Sequence, residues 1–188
     1  SIADPKALAN CHITAAEMIE HTNDPDKIWR QQRREHPKEG IVHFFHIDRQ
    51  PKDWRDRKTP EDPKQGLLVY RIVDWIEESK TLKNAQKWPQ LSQKLYGLSH
   101  YFGDLMQPLH LHHDYDGDEA GLPGLHSQFE TKMLNRYEDE IRTGVKSKLQ
   151  SEKIPPLWIT QSLNTLVFDS AQQSYAKAAR LFEGAKPA

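Results

Sequence analysis

Two pairs of side chains in the middle of the sequence have the types and the spacing that a metal ion requires. His100 and Asp104 are four residues apart, and His126 and Glu130 repeat that spacing. Residues four apart on a helix lie on the same face, so each pair can reach one ion. His110 lies between the two pairs and adds a third imidazole. Imidazole together with carboxylate suits Zn²⁺, so these five residues predict a zinc site.

A simpler interpretation of one such pair is an exposed polar pair on a helix surface. Two pairs on successive helices, with a histidine in the loop that joins them, weaken this interpretation. His100 also lies beside an apolar stripe, where burial of an imidazole without a partner would be unfavourable. We therefore favour a metal site over two independent surface pairs.

The composition is that of a globular protein with balanced charge. The 188 residues include 26 Lys and Arg and 27 Asp and Glu, for a net charge of −1. This balance leaves no basic excess to bind nucleic acid through its phosphates alone, although a metal site supplies its own positive charge. Cys11 is the only cysteine, which excludes an intramolecular disulfide. No apolar run approaches the ~20 residues of a transmembrane segment, and no stable protein partner is indicated.

The apolar periodicity predicts an all-α fold, a multi-helix bundle in one domain over residues 1–188, with the site between facing helices. Helix starts and stops predict helices at about 5–21, 25–37, 63–79, 84–106, 124–144 and 156–182. Residues 37–62 and 107–123 are predicted to be loops, with a short extended segment at 41–45.

The sequence around the paired residues resembles the superfamily of zinc-dependent phospholipases C and single-strand-specific nucleases. The resemblance rests on His-x-x-Gly-Asp-x-x-Gln-Pro-Leu-His at 100–110 and Leu-His-Ser-x-x-Glu at 125–130. It covers residues 98–130 well and the rest of the chain loosely. Members are helical and hold three zinc ions. The resemblance implies that His100 and Asp104 bind a first zinc, with Asp104 also reaching a third, and that the second zinc is bound by His110, His126 and Glu130.

The resemblance also implies an aspartate and a histidine upstream that complete the first zinc site. His43, before Phe44 in the extended segment, matches that histidine, and His46 is a close competitor. Asp26 resembles the aspartate, which in the family lies beside the attacking water and is a candidate general base. Helix capping explains Asp26 equally well. Arg30, one turn further on, either meets a phosphate oxygen or is one of several solvated charges.

The N-terminal region departs from the family pattern. Family members begin with a Trp whose amine and carbonyl bind the third zinc, helped by a histidine on the first helix. This chain begins Ser1-Ile2-Ala3 and has no Trp before Trp29. His12 is the candidate for the helping histidine, and a packed or surface residue is an equal alternative. Two or three zinc ions are therefore expected.

The predicted activity is hydrolysis of phosphodiester bonds by a metal-activated water, since zinc lowers the pKa of bound water to ~7 and stabilises charge on phosphoryl oxygens. Glu130, where the nucleases usually carry Asp, and the short loop from His110 to His126 favour a phospholipase C-like enzyme that acts on a phospholipid head group. The alternatives are a single-strand-specific nuclease, acting on single-stranded nucleic acid, and a non-catalytic zinc-stabilised helical binding protein. Because family members are mostly secreted or periplasmic, the same location is expected here.

Overall fold

The structure, a computed structural model, describes residues 13–57, 59–151 and 162–185. Within these residues the chain is mostly helical and forms no strand, which confirms the all-α prediction. A single isolated bridge joins Phe45 to Gly66 in this part of the chain. Among the same residues, no helix combines the length and the apolar character needed to cross a membrane.

The helices divide into a central pair and shorter peripheral elements. Helix α2 (Leu68–Asn84) packs on α3 (Trp88–Met106), and α7 (Leu163–Tyr175) packs on both. In chain order the α-helices are α1 (Ala15–His21), α2 (Leu68–Asn84), α3 (Trp88–Met106), α4 (Leu125–Ser127), α5 (Leu134–Arg136), α6 (Glu138–Ser151), α7 (Leu163–Tyr175) and α8 (Ala178–Gly184). The π-helical turns are Pro25–Trp29 and Gln128–Met133, and the 3₁₀ turns are Glu39–Ile41, Ile47–Arg49, Trp54–Asp56, Pro63–Gln65 and Pro108–Leu111.

The apolar stripe of α3 provides the wall of the core. Leu91, Leu98 and Leu105 recur at helical spacing on this stripe and are buried. The core that Leu98 and Leu105 enter also contains Trp75 of α2 and Phe168 of α7. Because this stripe fixes the rotation of α3 about its axis, the polar residues beside it are held in a defined direction.

The first two predicted helices are wrong in their extent. Thr14 is extended, and its side chain and that of Glu17 form a capping box that begins α1 at Ala15, so the chain does not run as one helix to residue 21. The earlier part of that prediction, including His12, lies outside the described residues. The helix predicted to reach residue 37 ends after one π-helical turn at Trp29. The residues after Trp29 form turns instead of a continuous helix, and His36 stacks on the buried Trp29 with ring centroids 5.0 Å apart.

The predicted starts of the central helices also need correction. Gly66 has a φ of 96°, and a side chain there would collide with the carbonyl of Phe44, so the predicted third helix starts at Leu68 rather than residue 63. It continues past the predicted end at residue 79 to Asn84, and Ser79 is its last buried residue. Gln86, with a φ of 54°, separates α2 from α3, so the helix predicted to start at about residue 84 starts at Trp88. The end of α3 at Met106 is where the sequence placed it.

Two long predicted helices are interrupted. The helix predicted over 124–144 contains a π-helical turn and breaks at Tyr137, whose φ of −112° and ψ of 18° separate α5 from α6. The helix predicted over 156–182 is broken between Tyr175 and Ala178, and residues 152–161 lie outside the described part. A π-helical turn adds a residue to the helical repeat and rotates the faces that follow, which periodicity in a single sequence does not reveal.

The short extended segment lies between the start of α2 and the turn after α3. The Phe45 N–H donates to the His110 carbonyl at 2.8 Å, the Leu68 N–H donates to the Phe44 carbonyl at 3.1 Å, and the Leu67 N–H donates to the Ile41 carbonyl at 2.8 Å. These bonds hold the segment between the start of α2 and the turn after α3, although residues 39–41 form a 3₁₀ turn instead of continuing the segment.

Candidate metal centre

Two groups of possible metal ligands lie in one cleft. We call Asp26, His43 and His100 the first cluster, and His110, His126 and Glu130 the second cluster. Within each cluster, one ligand atom from each residue lies within 4.8 Å of the others. Asp104 lies between the clusters, and all seven residues line the same cleft of about 1040 Å³. The structure therefore brings together residues that are distant in sequence and compatible with binding metal ions.

The first cluster and Asp104 together have the dimensions of a four-ligand zinc site. Nδ1 of His43 lies 3.0 Å from Oδ2 of Asp104 and 3.1 Å from Nε2 of His100. Nε2 of His100 lies 3.3 Å from the same Asp104 oxygen. The Asp26 oxygens lie 3.7 Å from His43 and 3.6 Å from His100. Ligand atoms held tetrahedrally at zinc–ligand distances of about 2.1 Å are about 3.4 Å apart, so these separations fit one ion.

The second cluster has three ligand atoms at similar separations. Nε2 of His110 lies 2.9 Å from Nε2 of His126, and Oε1 of Glu130 lies 3.2 Å from each of these nitrogens. Three protein ligands leave one position of a tetrahedral ion open to water or substrate, which is the arrangement of catalytic rather than structural zinc sites.

Asp104 connects the two clusters through separate oxygens. Its Oδ2 belongs to the first cluster, and its Oδ1 lies 3.3 Å from Nδ1 of His110. The side chain is 10% exposed and comes from the same face of α3 as His100, one turn earlier. An imidazole whose far nitrogen contacts a carboxylate is held in one orientation and is a better metal ligand. Asp104 is therefore placed both to bind one ion and to orient a ligand of the other.

Glu39 contacts His43 of the first cluster, much as Asp104 contacts His110 of the second. Its Oε1 lies 3.3 Å from Nε2 of His43, the nitrogen that faces away from the cluster, and accepts a 2.6 Å hydrogen bond from the Tyr101 hydroxyl. Glu39 is only 2% exposed, and its Oε2 has no hydrogen-bond partner among the described residues. Burial of a carboxylate is costly without compensation. A cation in the first cluster would provide that compensation through His43.

The sequence prediction missed Glu39. It precedes His43 by four residues, which is the same spacing that identified His100 and Asp104. That spacing has no meaning in a segment predicted to be a loop, because only a helical turn places such residues side by side. The 3₁₀ turn Glu39–Ile41 supplies the missing turn.

Gln107 joins the two parts of the second cluster. Its Oε1 accepts the Leu109 N–H at 2.6 Å and caps the 3₁₀ turn that carries His110. Its Nε2 donates to Oε1 of Glu130 at 3.0 Å. On the other side of the cluster, the Asp116 side chain accepts the backbone N–H of His126 at 3.3 Å. The loop between the histidines is therefore held at both ends.

The second cluster is strongly coupled electrostatically. Burial by itself lowers the pKa of His110, but the carboxylates of Asp104 and Glu130 outweigh this effect and raise it to about 9. Burial by itself raises the pKa of Glu130 and of Asp104, but contacts with His110 and a second histidine in each case hold both values below the usual range. Both acids are thus ionised at neutral pH, and their charge favours a bound cation.

The first cluster contains two histidines with opposite tendencies. Burial opposes the charged form of each imidazole. For His43, contacts with Asp104 and Glu39 outweigh burial and raise the pKa. For His100, burial outweighs the attraction of Asp104, and the pKa is lowered. A neutral His100 has a lone pair available for a metal ion at neutral pH.

The remaining predicted residues lie at the rim of the cleft or outside it. Arg30 is half exposed, with Nη2 3.5 Å from Oδ1 of Asp26, and it lines the cleft. His46 also lines the cleft but joins neither cluster, because its Nδ1 faces Oε1 of Gln65 at 3.4 Å and its ring stacks on Phe44. Further apolar side chains on the cleft wall are Tyr115, Phe129 and Leu134.

Comparison with known proteins leaves this geometry to be interpreted on its own. No family model matches the chain, and no curated protein or solved structure is significantly similar to it. The case for a function therefore rests on the ligand types, their distances and the cleft that they line.

Proposed function

We propose that this protein is a zinc-dependent phosphoric ester hydrolase of the phospholipase C and single-strand nuclease type, in which the two clusters hold one zinc ion each. The observation that supports this proposal most directly is the position of Asp104, which touches both sets of ligands with different oxygens. Because one oxygen of Asp104 would bind the first ion and the other would orient His110 on the second, both ions would act in the same cleft.

Two zinc ions in the cleft account for its ligand residues better than three. The family resemblance implies that Asp104 also reaches a third zinc, but Oδ1, the oxygen that does not contact the first cluster, lies 3.3 Å from Nδ1 of His110. It is therefore already engaged in orienting a ligand of the second cluster. His12, the other residue assigned to a third ion, lies outside the described residues and adds nothing to this choice.

Zinc ions bound in the two clusters would supply a water of lowered pKa and positive charge for the phosphoryl oxygens. Asp26 would hold the attacking water and accept its proton. Its side chain lines the cleft and is 47% exposed, and its oxygens lie close to His43 and His100. Arg30, next to Asp26, would bind a non-bridging phosphate oxygen with a charge-assisted hydrogen bond. The aromatic and aliphatic wall would contact the apolar part of the substrate.

A phospholipid head group is the proposed substrate, and single-stranded nucleic acid is the second candidate. The acid that closes the second cluster is Glu130, as in the phospholipase branch of the superfamily. A net charge of −1 provides little general attraction for a polynucleotide. A non-catalytic zinc-stabilised protein is the third candidate, and the open ligand position of the second cluster argues against it.

The test combines metal content with turnover. Purified protein is analysed for bound metal, then assayed on phosphatidylcholine and on single-stranded DNA, with and without a chelator and after zinc is restored. We expect at least two zinc ions per chain, one for each cluster, and chelator-sensitive hydrolysis of phosphatidylcholine. Arg30→Met should lower activity by roughly 10²-fold or more with zinc content unchanged, since a positioned charge on phosphate is lost. Zinc-loaded protein that hydrolyses neither substrate would contradict the proposal.

A further inference from the structure

A third group of metal-ligand side chains lies outside the cleft. It consists of Asp48, from the 3₁₀ turn Ile47–Arg49, and the adjacent His112 and His113, which follow the turn after α3. One ligand atom from each lies within 4.8 Å of the others. None of the three lines the cleft of the two clusters. His110 lines the cleft, but His112 and His113, which follow it closely in the chain, do not. This group is therefore separate from the candidate metal centre.

His113 is held between two carboxylates that act on different ring nitrogens. Its Nε2 lies 2.9 Å from Oε2 of Glu119, and its Nδ1 contacts Oδ2 of Asp48. The backbone N–H of His113 also donates to Oδ1 of Asp48 at 3.2 Å. A protonated His113 ring donates to both carboxylates, whereas the neutral ring with its proton on Nε2 donates to Glu119 and directs the lone pair of Nδ1 at the Asp48 carboxylate. Two lone pairs that face each other favour a cation between them.

The same arrangement occurs in the first cluster. Nε2 of His43 contacts Glu39, and Nδ1 of His43 contacts Asp104 and His100. The group around His113 has Glu119 in place of Glu39 and Asp48 in place of the cluster carboxylates. A histidine that contacts a carboxylate through its far nitrogen is the usual arrangement for a zinc ligand.

We infer that Asp48 and His113 are the principal ligands of an additional divalent transition-metal site, separate from the two clusters, for which zinc is the expected ion. An imidazole and a carboxylate suit zinc better than calcium or magnesium. His112 contributes less, because its Nδ1 accepts the Asp114 N–H at 3.1 Å and an ion would compete with that hydrogen bond. Water completes the coordination, since the side chains of Asp48 and His113 are 17% and 22% exposed.

An ion bound by Asp48 and His113 would link the two loops that carry these residues. Asp48 lies shortly after the segment that carries His43, and His113 begins the loop that leads through Asp116 to His126. The loops already meet through side-chain contacts of Asp48, Arg49, His113 and Glu119. Zinc bound here would hold the two sides of the cleft at a fixed separation without contact with the substrate.

The site is tested by counting zinc in the full chain. Wild type, Asp48→Asn, His113→Gln and the control Asp53→Asn, whose carboxylate bonds an exposed Arg57 at 3.1 Å, are loaded with zinc, desalted and analysed. We expect one zinc ion fewer per chain in the first two variants and no change in the control. Equal zinc in wild type, Asp48→Asn and His113→Gln would overturn the inference and leave an ion pair that joins the loops.

A milder variant keeps the test decisive if these substitutions impair folding. Glu119 is 68% exposed, so Glu119→Gln should fold normally. It should weaken zinc binding at this site about tenfold by losing the partner of His113. Unchanged affinity in Glu119→Gln would count against the assignment. His100→Ala removes a ligand of the first cluster only. Zinc loss in His100→Ala tests the proposed hydrolase centre, and zinc loss in Asp48→Asn tests the additional site, so each proposal can fail without the other.

Discussion

Asp104 and His110 contact each other between the two clusters, with Oδ1 of Asp104 3.3 Å from Nδ1 of His110. The other oxygen of Asp104 lies 3.0 Å from His43, and the other nitrogen of His110 lies 2.9 Å from His126. The two clusters are therefore linked through one carboxylate and one imidazole. A change at this link should affect both clusters, whereas a change at an outer ligand should affect only one.

Asp104→Asn is expected to reduce metal binding at both clusters. The first cluster loses a charged ligand, and His110 loses the carboxylate that orients it, which typically weakens metal affinity 10–100-fold. His126→Ala should instead remove one ion and leave the other. Elemental analysis of desalted protein measures the difference, and Asp56→Asn, an exposed acid outside the cleft, is the control. Loss of a single ion in Asp104→Asn, equal to that in His126→Ala, would contradict the proposed link.

Glu39→Gln is expected to weaken metal binding at the first cluster by roughly 10-fold or more. Glutamine keeps the size of the side chain and an oxygen for the Tyr101 hydroxyl, but it removes the negative charge behind His43. A competition titration against a chromophoric chelator measures the affinity. Tyr101→Phe is the complementary control, because it removes the hydrogen bond to Glu39 and keeps the carboxylate. Equal affinities in wild type and Glu39→Gln would show that Glu39 does not support His43.

The site residues and the helix boundaries differ in how far the sequence predicts them. The pairs His100–Asp104 and His126–Glu130 could be found because helical spacing and ligand type both point to an ion. Glu39 could not, since the turn that brings it to His43 lies in a predicted loop. The end of α3 was predictable because Pro108 follows it. The break between α2 and α3 was predicted a few residues too early, between residues 79 and 84, and the break at Tyr137 was not predicted, because Tyr137 is neither Gly nor Pro.

Metal binding is expected to release protons, and the amount should depend on pH. In metal-free protein His110 has a pKa of about 9, so its ring is protonated at neutral pH and must lose a proton to bind an ion through Nε2. A group with a raised pKa competes with the metal below that pKa, so affinity at the second cluster should rise with pH up to about 9 and level off above it.

The released protons can be counted in weakly buffered solution as zinc is added. We expect about one proton or more per chain near pH 6, where ionisation of zinc-bound water contributes little, and almost none from His110 near pH 10. Glu130 and Asp104 should contribute nothing at either pH, because the pKa of each lies below its usual range. Zinc uptake without proton release near pH 6 would show that His110 is not a ligand.

Chelation is expected to lower thermal stability. A ligand that binds only the folded state stabilises it, by about 2.7 kcal/mol when its concentration is 100 times its Kd. Zinc removal also leaves the buried carboxylates of Asp104 and Glu39 without the compensating cation. Calorimetry before and after chelation, with zinc added back, measures the change. An unchanged melting temperature after verified removal of metal would indicate that the clusters do not hold ions in the folded protein.

Two glycines of α3 should respond in opposite directions to the same substitution. A Cβ at Gly97 would collide with the ring of Trp75 and lie 2.8 Å from Cζ3 of Trp29, whereas a Cβ at Gly103 would meet nothing within 4 Å. Gly97→Ala should therefore destabilise the protein by about 1–3 kcal/mol through overpacking. Gly103→Ala should stabilise it by up to about 1 kcal/mol through helix propensity.

Denaturant unfolding of zinc-loaded protein measures both variants under the same conditions. Zinc content serves as the internal check, since Gly103 lines the cleft beside His100 and Asp104 and Gly97 does not. Both variants should keep the zinc content of wild type, because neither removes a ligand. A destabilised Gly103→Ala with normal zinc would show that α3 is packed more closely at the cleft than this structure describes. A neutral Gly97→Ala would show that Trp75 and Trp29 can move apart to admit the added methyl group.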